Sequence, residues 1–387
     1  MNPIQSSTLQ VPGLWAGASA ATASVRVCFI PYYDDNPYQR ELARALRPYG
    51  VEVSARRGVK WLLRVPLGGR EKPDIVHLHW LPPFRRNPVG VLRFLAFFAR
   101  AGFLHALGCR IVWTVHNLQH HEATWRKVEL FFSRMVVAMS SRVIVHSPIA
   151  GQLVTAEFGA HAQRKLAVVP HGNYIGVYPN VVSRGEARER LGLQPHTTVL
   201  LFLGYLRPYK GLNELIRAFR QVDEPDYALV IAGSPFDDRA VDQLRAESEG
   251  DARIHLRPGF VPDDDIQVYM NAADAVVFPY QAILTSGAVV LAMSFGRACV
   301  APRLGCIPDV LNEDGAALYD RSEPDGLRGA LQRILQRRDE LPGMGAYNLA
   351  RARQWGWNTV ARETAGAYAA ALNGHPPKAA DATDGRA

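Results

Sequence analysis

The chain has 387 residues, more than one hydrophobic core normally supports, so we expect two domains of about 150 to 200 residues each. With 48% apolar and 21% charged residues, the composition excludes a fibrous or intrinsically disordered protein. The formal net charge is +8, and residues 25–170 carry 21 Lys and Arg against 9 Asp and Glu, or +12, which leaves −4 for the rest. A basic first half attracts nucleic acid, anionic lipid headgroups or phosphorylated substrates, and charge alone does not choose among them.

The cysteines and the chain ends bear on the cellular compartment. Four cysteines stand far apart, without a CxxC pair or the Cys/His spacing of a zinc site. The N-terminal residues are small and polar and lack the charged and apolar regions of a signal peptide. We therefore expect a cytoplasmic protein, with residues 1–24 and 374–387 as disordered tails.

From Val25 onward, short apolar strands alternate with helical stretches, which predicts an α/β fold with a parallel sheet covered by helices on both faces. A helix is expected from Tyr38 to Tyr49. The predicted strands are VRVCFIP, VEVSA, DIVHLHW, CRIVWTVH and RVIVHS. Ligands collect beyond the carboxyl ends of such strands, so residues 32–38, 77–80, 116–122 and 146–147 should line one rim.

The longest apolar segment, VGVLRFLAFFARAGFLHALG at residues 89–108, is close to the length of a membrane span. Arg93, Arg100 and His105 argue against a span, because a central Arg costs several kcal/mol in a bilayer. The two arginines are seven residues apart and share one helix face. Two interpretations remain: a core helix with one wet face, or a basic amphipathic helix that lies on the membrane surface beside Arg85-Arg86.

The segment KLAVVPHGNYIGVYPNVV, residues 165–182, predicts one last strand followed by a Gly/Pro-rich crossing, which is typical of a domain linker. A second strand and helix series follows it, with strands at VLLFLGY, YALVIAGS, RIHLRPGFV, AVVFPY and ACVAPR. We predict two Rossmann-like domains, at residues 25–175 and 176–350. The aromatic helix at residues 351–373 is expected to pack back on the first domain.

The stretch VLLFLGYLRPYKGLNELIRAF, which starts at Val199, predicts a strand, a turn and an amphipathic helix. The turn begins at Gly204 and holds Arg207 and Lys210, and the helix follows Gly211. The helix N-terminus aims free N–H groups and its positive dipole end at the turn. Two fixed cations there suit a diphosphate, although such residues in a surface loop are often only solvated.

Eight motifs in order resemble those of GT-B fold glycosyltransferases, close to family 4 and to bacterial transferases that build exopolysaccharide repeats on a lipid carrier. They are DIVHLHWLPP, WTVHNLQHHE, SRVIVHS, VVPHG, FLGYLRPYKGLNELIRAF, VIAG, GFVPDDDIQVYMNAADAVVFPY and TSGAVVLAMSFGRACVAP. The resemblance implies two domains that face each other across a cleft, with a nucleotide-sugar donor in the second and a saccharide or lipid-linked saccharide acceptor in the first. It implies no cofactor and no metal.

By this resemblance, Arg207 and Lys210 bind the donor diphosphate and neutralise the charge of the leaving nucleotide. Residues Thr285, Ser286 and Gly287 begin a second helix, whose N-terminus would point at the same diphosphate unless it is an ordinary N-cap. The other expected donor-binding residues are Gly204, Gly233, Phe260, Val261 and Tyr280.

The sequence departs from the resemblance at two positions. Most family 4 members carry two glutamates eight residues apart, which contact the donor sugar and the ribose, whereas this chain has Ile283 and Leu291 there. The retaining outcome is therefore not carried over. Polar groups at residues 280–286 are the expected substitutes for sugar recognition.

In the first domain, His116 occupies the position of a histidine that relatives turn towards the donor sugar. An inverting transfer needs a group that takes the acceptor proton, and we assign Glu122 to that role. The alternative is that Glu122 only favours the dipole of the following helix. Asp34 or its neighbour Asp35 is the next candidate base, and His79 and Trp80 are expected on the acceptor side.

We thus expect a glycosyltransferase that moves a hexose from a nucleoside diphosphate sugar, with contact to the anionic inner face of the membrane. A nucleotide-sugar epimerase of the same architecture is the alternative. A nucleic-acid-binding protein would use the basic half, but aromatic residues are not interleaved with the basic ones as a strand-binding groove needs, so no nucleic acid partner is expected.

Overall fold

The computed structural model describes residues 24–34, 36–55, 72–81, 88–118 and 125–373. The predicted tails, apart from Ser24, lie outside these ranges. So do Asp35, the Arg85-Arg86 pair and the candidate base Glu122.

The first domain is built on a parallel six-stranded sheet, ordered β2-β1-β3-β4-β5-β6. In chain order its elements are β1 (Val25–Ile30), α1 (Pro37–Leu46), β2 (Val51–Ala55), β3 (Ile75–Leu78), α2 (Pro88–Ala106), β4 (Arg110–Thr114), α3 (Arg126–Met139), β5 (Arg142–Val145), α4 (Pro148–Phe158), α5 (Ala160–Gln163) and β6 (Leu166–Val168). The predicted helix at residues 38–49 ends as an α-helix at Leu46, because Pro48 has no N–H to donate, and a 3₁₀ turn completes it.

The second domain repeats this design, with a parallel sheet ordered β12-β11-β10-β7-β8-β9. In chain order its elements are α6 (Arg184–Leu191), β7 (Thr198–Leu203), α7 (Leu212–Arg220), β8 (Tyr227–Gly233), α8 (Asp238–Ser248), β9 (Ile254–Pro258), α9 (Ile266–Ala272), β10 (Ala275–Val277), α10 (Gly287–Ser294), β11 (Ala298–Pro302), α11 (Ile307–Val310), β12 (Ala316–Tyr319), α12 (Gly326–Gln336) and α13 (Leu341–Arg353). All residues of β7 and β8 are buried, as expected for central strands covered on both faces. The α/β prediction with two Rossmann-like domains is confirmed.

A last helix, α14 (Trp357–Asn373), crosses back to the first domain. It packs on α1, and its buried Val360 and Tyr368 share a core cluster with Val27 and Phe29 of β1. The hydroxyl of Tyr368 lies 2.7 Å from Nδ1 of His77. The chain therefore returns to complete the core of its first domain after the second domain has ended.

Side chains of the second domain also reach into the first. Leu284 and Cys306 belong to the core cluster beneath α2 and α4 of the first domain. A carboxylate oxygen of Asp309 accepts a hydrogen bond of 2.9 Å from the backbone N–H of Ile149, in the first turn of α4. These contacts hold the two strand edges face to face across a cleft.

Helix α2 is less buried than a core helix. Leu92 is 66% exposed, Leu95 is 62% exposed and Phe103 is 49% exposed, while Ala101 and Leu104 are buried against the sheet. Among the described residues it is the one helix long and apolar enough to cross a membrane, and 17% of its apolar window is buried. Helix α2 therefore packs one side on the sheet and exposes a second apolar surface.

Candidate active site

Glycines form the floor of the candidate donor site. The carboxyl ends of β7 and β8 meet so closely that a Cβ on Gly233 would lie 1.9 Å from the carbonyl oxygen of Gly204. At Gly211, with φ +72°, a Cβ would lie 2.0 Å from the carbonyl oxygen of Pro279. Only glycine fits at either position, and the two close approaches bring three loops together at one edge of the second sheet.

The two predicted phosphate-binding cations lie against aromatic rings. The Lys210 ammonium is 3.8 Å from the ring centroid of Tyr280, and the Arg207 guanidinium is 5.0 Å from that of Phe236. Burial lowers the pKa of Lys210, the Tyr209 side chain raises it, and the charge of Arg207 lowers it further. The turn thus holds two positive groups close together, between Gly204 and Gly211.

Helix α10 begins beside these cations. Ser286 is its N-cap, and its Oγ accepts a hydrogen bond of 3.3 Å from the N–H of Val289. The same oxygen lies 3.1 Å from the hydroxyl of Tyr280. Ser286 therefore is an N-cap of α10, and Tyr280, which contacts both Ser286 and Lys210, links the positive end of the helix to the lysine.

The other predicted donor-site residues differ in exposure. Tyr280 is 1% exposed, so its ring supports Lys210 from beneath and offers no free surface to a ligand. Phe260 is 75% exposed, next to Val261 in the loop after β9. At the positions of the two absent glutamates, Ile283 and Leu291 are partly buried against the apolar core of the second domain.

Thr285 joins the two halves of the cleft. Its Oγ1 donates a hydrogen bond of 3.0 Å to the carbonyl oxygen of His116, in the loop after β4. Gly287 lies against the linker, where a Cβ would come within 2.9 Å of the Tyr174 hydroxyl. The start of α10 is therefore fixed by both the first domain and the linker.

The facing edge of the first sheet carries a cluster of five histidines, one within β3 and one just after each of β3, β4, β5 and β6; four are buried and His171 is partly exposed. Its members are His77, His79, His116, His146 and His171. Tyr38 packs against four of them, a role that its place at the end of a rim loop did not reveal in the sequence. Two hydrogen bonds to backbone carbonyls assign Nδ1 as the protonated nitrogen of His146 and His171.

Burial keeps these imidazoles neutral. It lowers the pKa of His77 and of His146 to about 3, where a neighbouring histidine adds to the effect, and it lowers the pKa of His171 to about 4 against the opposing hydrogen bond to Gly172. The pKa values of His79 and His116 are also depressed by burial, well below the usual range. The histidine edge therefore presents neutral hydrogen-bonding groups, in contrast to the cationic edge opposite.

The predicted acceptor-side residues separate into exposed and buried groups. The Trp80 ring stacks on the imidazole of His116 with 4.4 Å between ring centroids, and the Tyr33 ring makes an edge contact with Trp80 at 5.5 Å. Asp34 is exposed beside them. His79 has no exposed surface, so it supports His116 from behind and cannot touch an acceptor.

The linker is fixed by packing. At Gly172 a Cβ would lie 2.6 Å from the ring of Trp357, so this glycine is needed for close contact with α14.

A cavity of about 180 Å³ lies between the linker, α4 and α10, lined by His146, Ser147, Ser286 and Trp355 among others. Among the described residues, no group of three His, Cys, Asp or Glu side chains is arranged to hold a metal ion.

Comparison with known proteins gives a consistent class. Residues 197–337 match the family model described as Glycosyl transferases group 1. The chain is 27% identical over 299 residues to a GDP-mannose:glycolipid 4-beta-D-mannosyltransferase of Xanthomonas campestris pv. campestris, covering 73% of this chain and 75% of that one. It is 28% identical over 247 residues to a D-inositol 3-phosphate glycosyltransferase of Segniliparus rotundus, covering 62% of this chain and 54% of that one.

Solved structures show the same fold. Sucrose-phosphate synthase from Thermosynechococcus elongatus superposes with a TM-score of 0.70 at 17% identity, over 89% of this chain and 98% of that one. Anabaena HepE, in complex with UDP and glucose, gives a TM-score of 0.68 at 18% identity, over 89% of this chain and 99% of that one.

Two facing Rossmann-like domains, with a cationic glycine-floored site on one edge, define the GT-B class of protein. The chain carries a glycosyl transferases group 1 domain, and its curated relatives are transferases. It is a GT-B fold glycosyltransferase, and the epimerase alternative is set aside.

Proposed function

We propose that the enzyme transfers a hexose from a nucleoside diphosphate sugar to a lipid-linked saccharide, without a metal ion, during polysaccharide or glycolipid synthesis. The observation that supports this most directly is the convergence on Tyr280. Its ring lies 3.8 Å from the Lys210 ammonium, and its hydroxyl lies 3.1 Å from Ser286 at the start of α10. A fixed cation and a helix N-terminus so close together suit the charge that develops on a departing diphosphate.

Arg207 supplies a second cation from the same turn, and its planar guanidinium suits two oxygens of one phosphate. Together with Lys210 and the α10 dipole, it provides the positive charge that a divalent ion supplies in other transferases. The base of the nucleotide would then lie towards the exposed loop at Phe260 and Val261. We propose GDP-mannose as the first donor to test, because a relative of this chain is named for it.

The sugar would lie between the start of α10 and the histidine edge. The backbone of His116 is joined to the segment before α10, since Thr285 donates a hydrogen bond to its carbonyl oxygen. A neutral imidazole can exchange hydrogen bonds with sugar hydroxyls in either direction. Trp80, stacked on His116, would close the acceptor side of this pocket.

The acceptor would be carried on a lipid. The Xanthomonas relative is named for a glycolipid acceptor, and α2 exposes apolar side chains together with the nearby Arg93 and Arg100. An anionic membrane would attract this basic domain and bind its apolar helix. We therefore place the enzyme in the cytoplasm, at the inner face of the membrane.

The donor assignment is tested by thermal-shift titration with GDP-mannose, UDP-glucose and dTDP-glucose. A ligand that binds only the native state raises its melting temperature, so one nucleotide should give a shift that persists in EDTA. The shift should be lost in Lys210→Ala and kept in Lys127→Ala, a matched change of an exposed lysine on α3. A full shift in Lys210→Ala, or no shift with any nucleotide sugar, would contradict the proposal.

A further inference from the structure

Tyr280 connects parts of the donor site that are distant in sequence. It follows β10, is 1% exposed, and lies with its ring beneath Lys210 and its hydroxyl at Ser286. Its neighbour Gln281 donates a backbone hydrogen bond of 2.9 Å to the carbonyl oxygen of Tyr209, beside Lys210. The turn after β7 and the start of α10 are therefore held to one short segment.

An aromatic face is a distinctive support for a phosphate-binding lysine. Among the described residues, Lys210 forms no salt bridge, and its ammonium lies over the rings of Tyr280 and Tyr209. A carboxylate partner would neutralise the ammonium charge and occupy its N–H donors. A ring attracts the cation through its quadrupole and leaves both the charge and the donors for a ligand.

The hydroxyl of Tyr280 contacts Ser286, the N-cap residue of α10. Ser286 must direct its Oγ to the N–H of Val289 to cap α10, and the Tyr280 hydroxyl lies on the same oxygen. This second contact limits the rotamers of Ser286 and fixes the direction of the helix start. One buried side chain thus contacts both the cation and the helix cap.

We propose that Tyr280 is a positioning residue for sugar transfer, which holds the Lys210 ammonium on its ring face and the α10 cap through its hydroxyl. This inference rests on the proposed diphosphate site. It replaces the sequence-based prediction that Tyr280 binds the donor directly, because the side chain has almost no exposed surface.

Three variants separate the two contacts from a general loss of packing. Tyr280→Phe keeps the ring face and removes the hydroxyl, whereas Tyr280→Leu removes both. Phe219→Leu is the matched control: Phe219 is fully buried in α7 of the same domain, and its ring contacts Tyr227 and Arg253. Both leucine variants should lower the melting temperature to a similar extent.

Binding of GDP and UDP is measured by calorimetry on the full chain. Tyr280→Leu should weaken binding of the preferred nucleotide about tenfold, the size of a partly desolvated cation–π contact, and Tyr280→Phe about threefold or less. Phe219→Leu should bind as the wild type does. If Tyr280→Leu binds the nucleotide as tightly as Phe219→Leu does, the inference is wrong.

The pH dependence of binding distinguishes positioning from mere stability. The groups that act on Lys210 are Arg207, Tyr209 and the Tyr280 ring. The ring stabilises the ammonium form, so its removal lowers the pKa of Lys210, and binding should decline at lower pH in Tyr280→Leu than in the wild type. Tyr280→Phe and Phe219→Leu should lose binding at the same pH as the wild type. If Tyr280→Leu also loses binding at that pH, the inference is contradicted.

The two proposals fail in different ways. If the wild type binds neither GDP nor UDP, the proposed donor site fails. If the wild type binds one of them, and the Tyr280 variants match Phe219→Leu in affinity and in the pH at which binding declines, the donor site stands and the positioning role is rejected.

Discussion

His116 makes two separate contacts in the candidate site, one through its backbone carbonyl and one through its imidazole. Its backbone carbonyl accepts the hydrogen bond from Thr285, and its imidazole stacks on Trp80. Burial and the surrounding histidines hold the pKa of this imidazole well below its ordinary range, so it is a weak base at neutral pH. General-base catalysis is most efficient when the pKa lies near the working pH, so His116 suits hydrogen bonding to the sugar better than the role of base.

For that reason we predict that Glu122→Gln lowers kcat by about 100-fold or more while nucleotide binding is unchanged, the usual size of a lost general base. The measurement is sugar transfer at saturating donor, with GDP affinity determined in parallel. Asp34→Asn is the comparison, because Asp34 is exposed in the loop after β1, next to Tyr33, whose ring contacts Trp80. Should Asp34→Asn lose the activity and Glu122→Gln retain it, the assignment of the base would pass to Asp34.

Among the helices, α2 is unusual for this fold because it exposes large apolar side chains. A crossover helix normally buries one apolar stripe on the sheet, but α2 also exposes Leu92 and Leu95 beside Arg93. This second apolar surface has no covering among the described residues. An interfacial helix needs such a surface, with basic residues that face the lipid headgroups.

We predict that the double variant Leu92→Glu/Leu95→Glu lowers recovery with anionic vesicles at least tenfold in a flotation assay, because each leucine contributes about 1.5–3 kcal/mol when buried in an apolar phase. Its melting temperature should stay near that of the wild type. Val181→Glu, at a position 88% exposed in the linker region, is the matched control and should float as the wild type does. Equal flotation of all three proteins would show that α2 does not bind the membrane.

Local patterns predicted the strands well, because buried parallel strands are short apolar runs bounded by turn residues. CRIVWTVH contains β4 and VLLFLGY contains most of β7. Contacts between distant residues left no such pattern. Lys210 and Tyr280 are 70 positions apart, and His77 bonds Tyr368 across 291 positions. The sequence therefore indicated a cationic diphosphate site but not the ring beneath its lysine.

At the scale of the whole molecule, the two edges of the cleft have opposite electrostatic character. The second domain presents Arg207, Lys210 and a helix N-terminus, and the first presents histidines that burial keeps neutral. Neutral histidines add no repulsion towards a cationic partner edge. Protonation of the cluster would place like charges inside one core and opposite the donor site.

The cluster predicts acid sensitivity. The pKa of each histidine is near 6.5 when unfolded, whereas it is about 3 for His77 and His146 and about 4 for His171 in the folded state. Between these values the unfolded chain binds more protons, so stability is fully present above about pH 6.5 and falls as the pH falls, by up to about 1.4 kcal/mol per pH unit for each histidine.

Urea unfolding at pH 7.5, 6.5 and 5.5 measures this slope. His171→Asn should reduce it, and His196→Asn, at an exposed position, should leave it unchanged. A stability independent of pH in this range would show that the histidines are not buried in neutral form.

The return of α14 to the first domain also sets an order of events during synthesis. Residues 169–356 must be made after β6 before α14 begins, which takes about 10 to 40 s at the ~5–20 residues per second of a translating ribosome. During that interval Val27, Phe29 and His77 lack the helix that covers them. The second domain, whose last helix ends at Arg353, has its whole sequence available earlier. The half of the enzyme that is synthesised first is thus the half whose last core element is synthesised last.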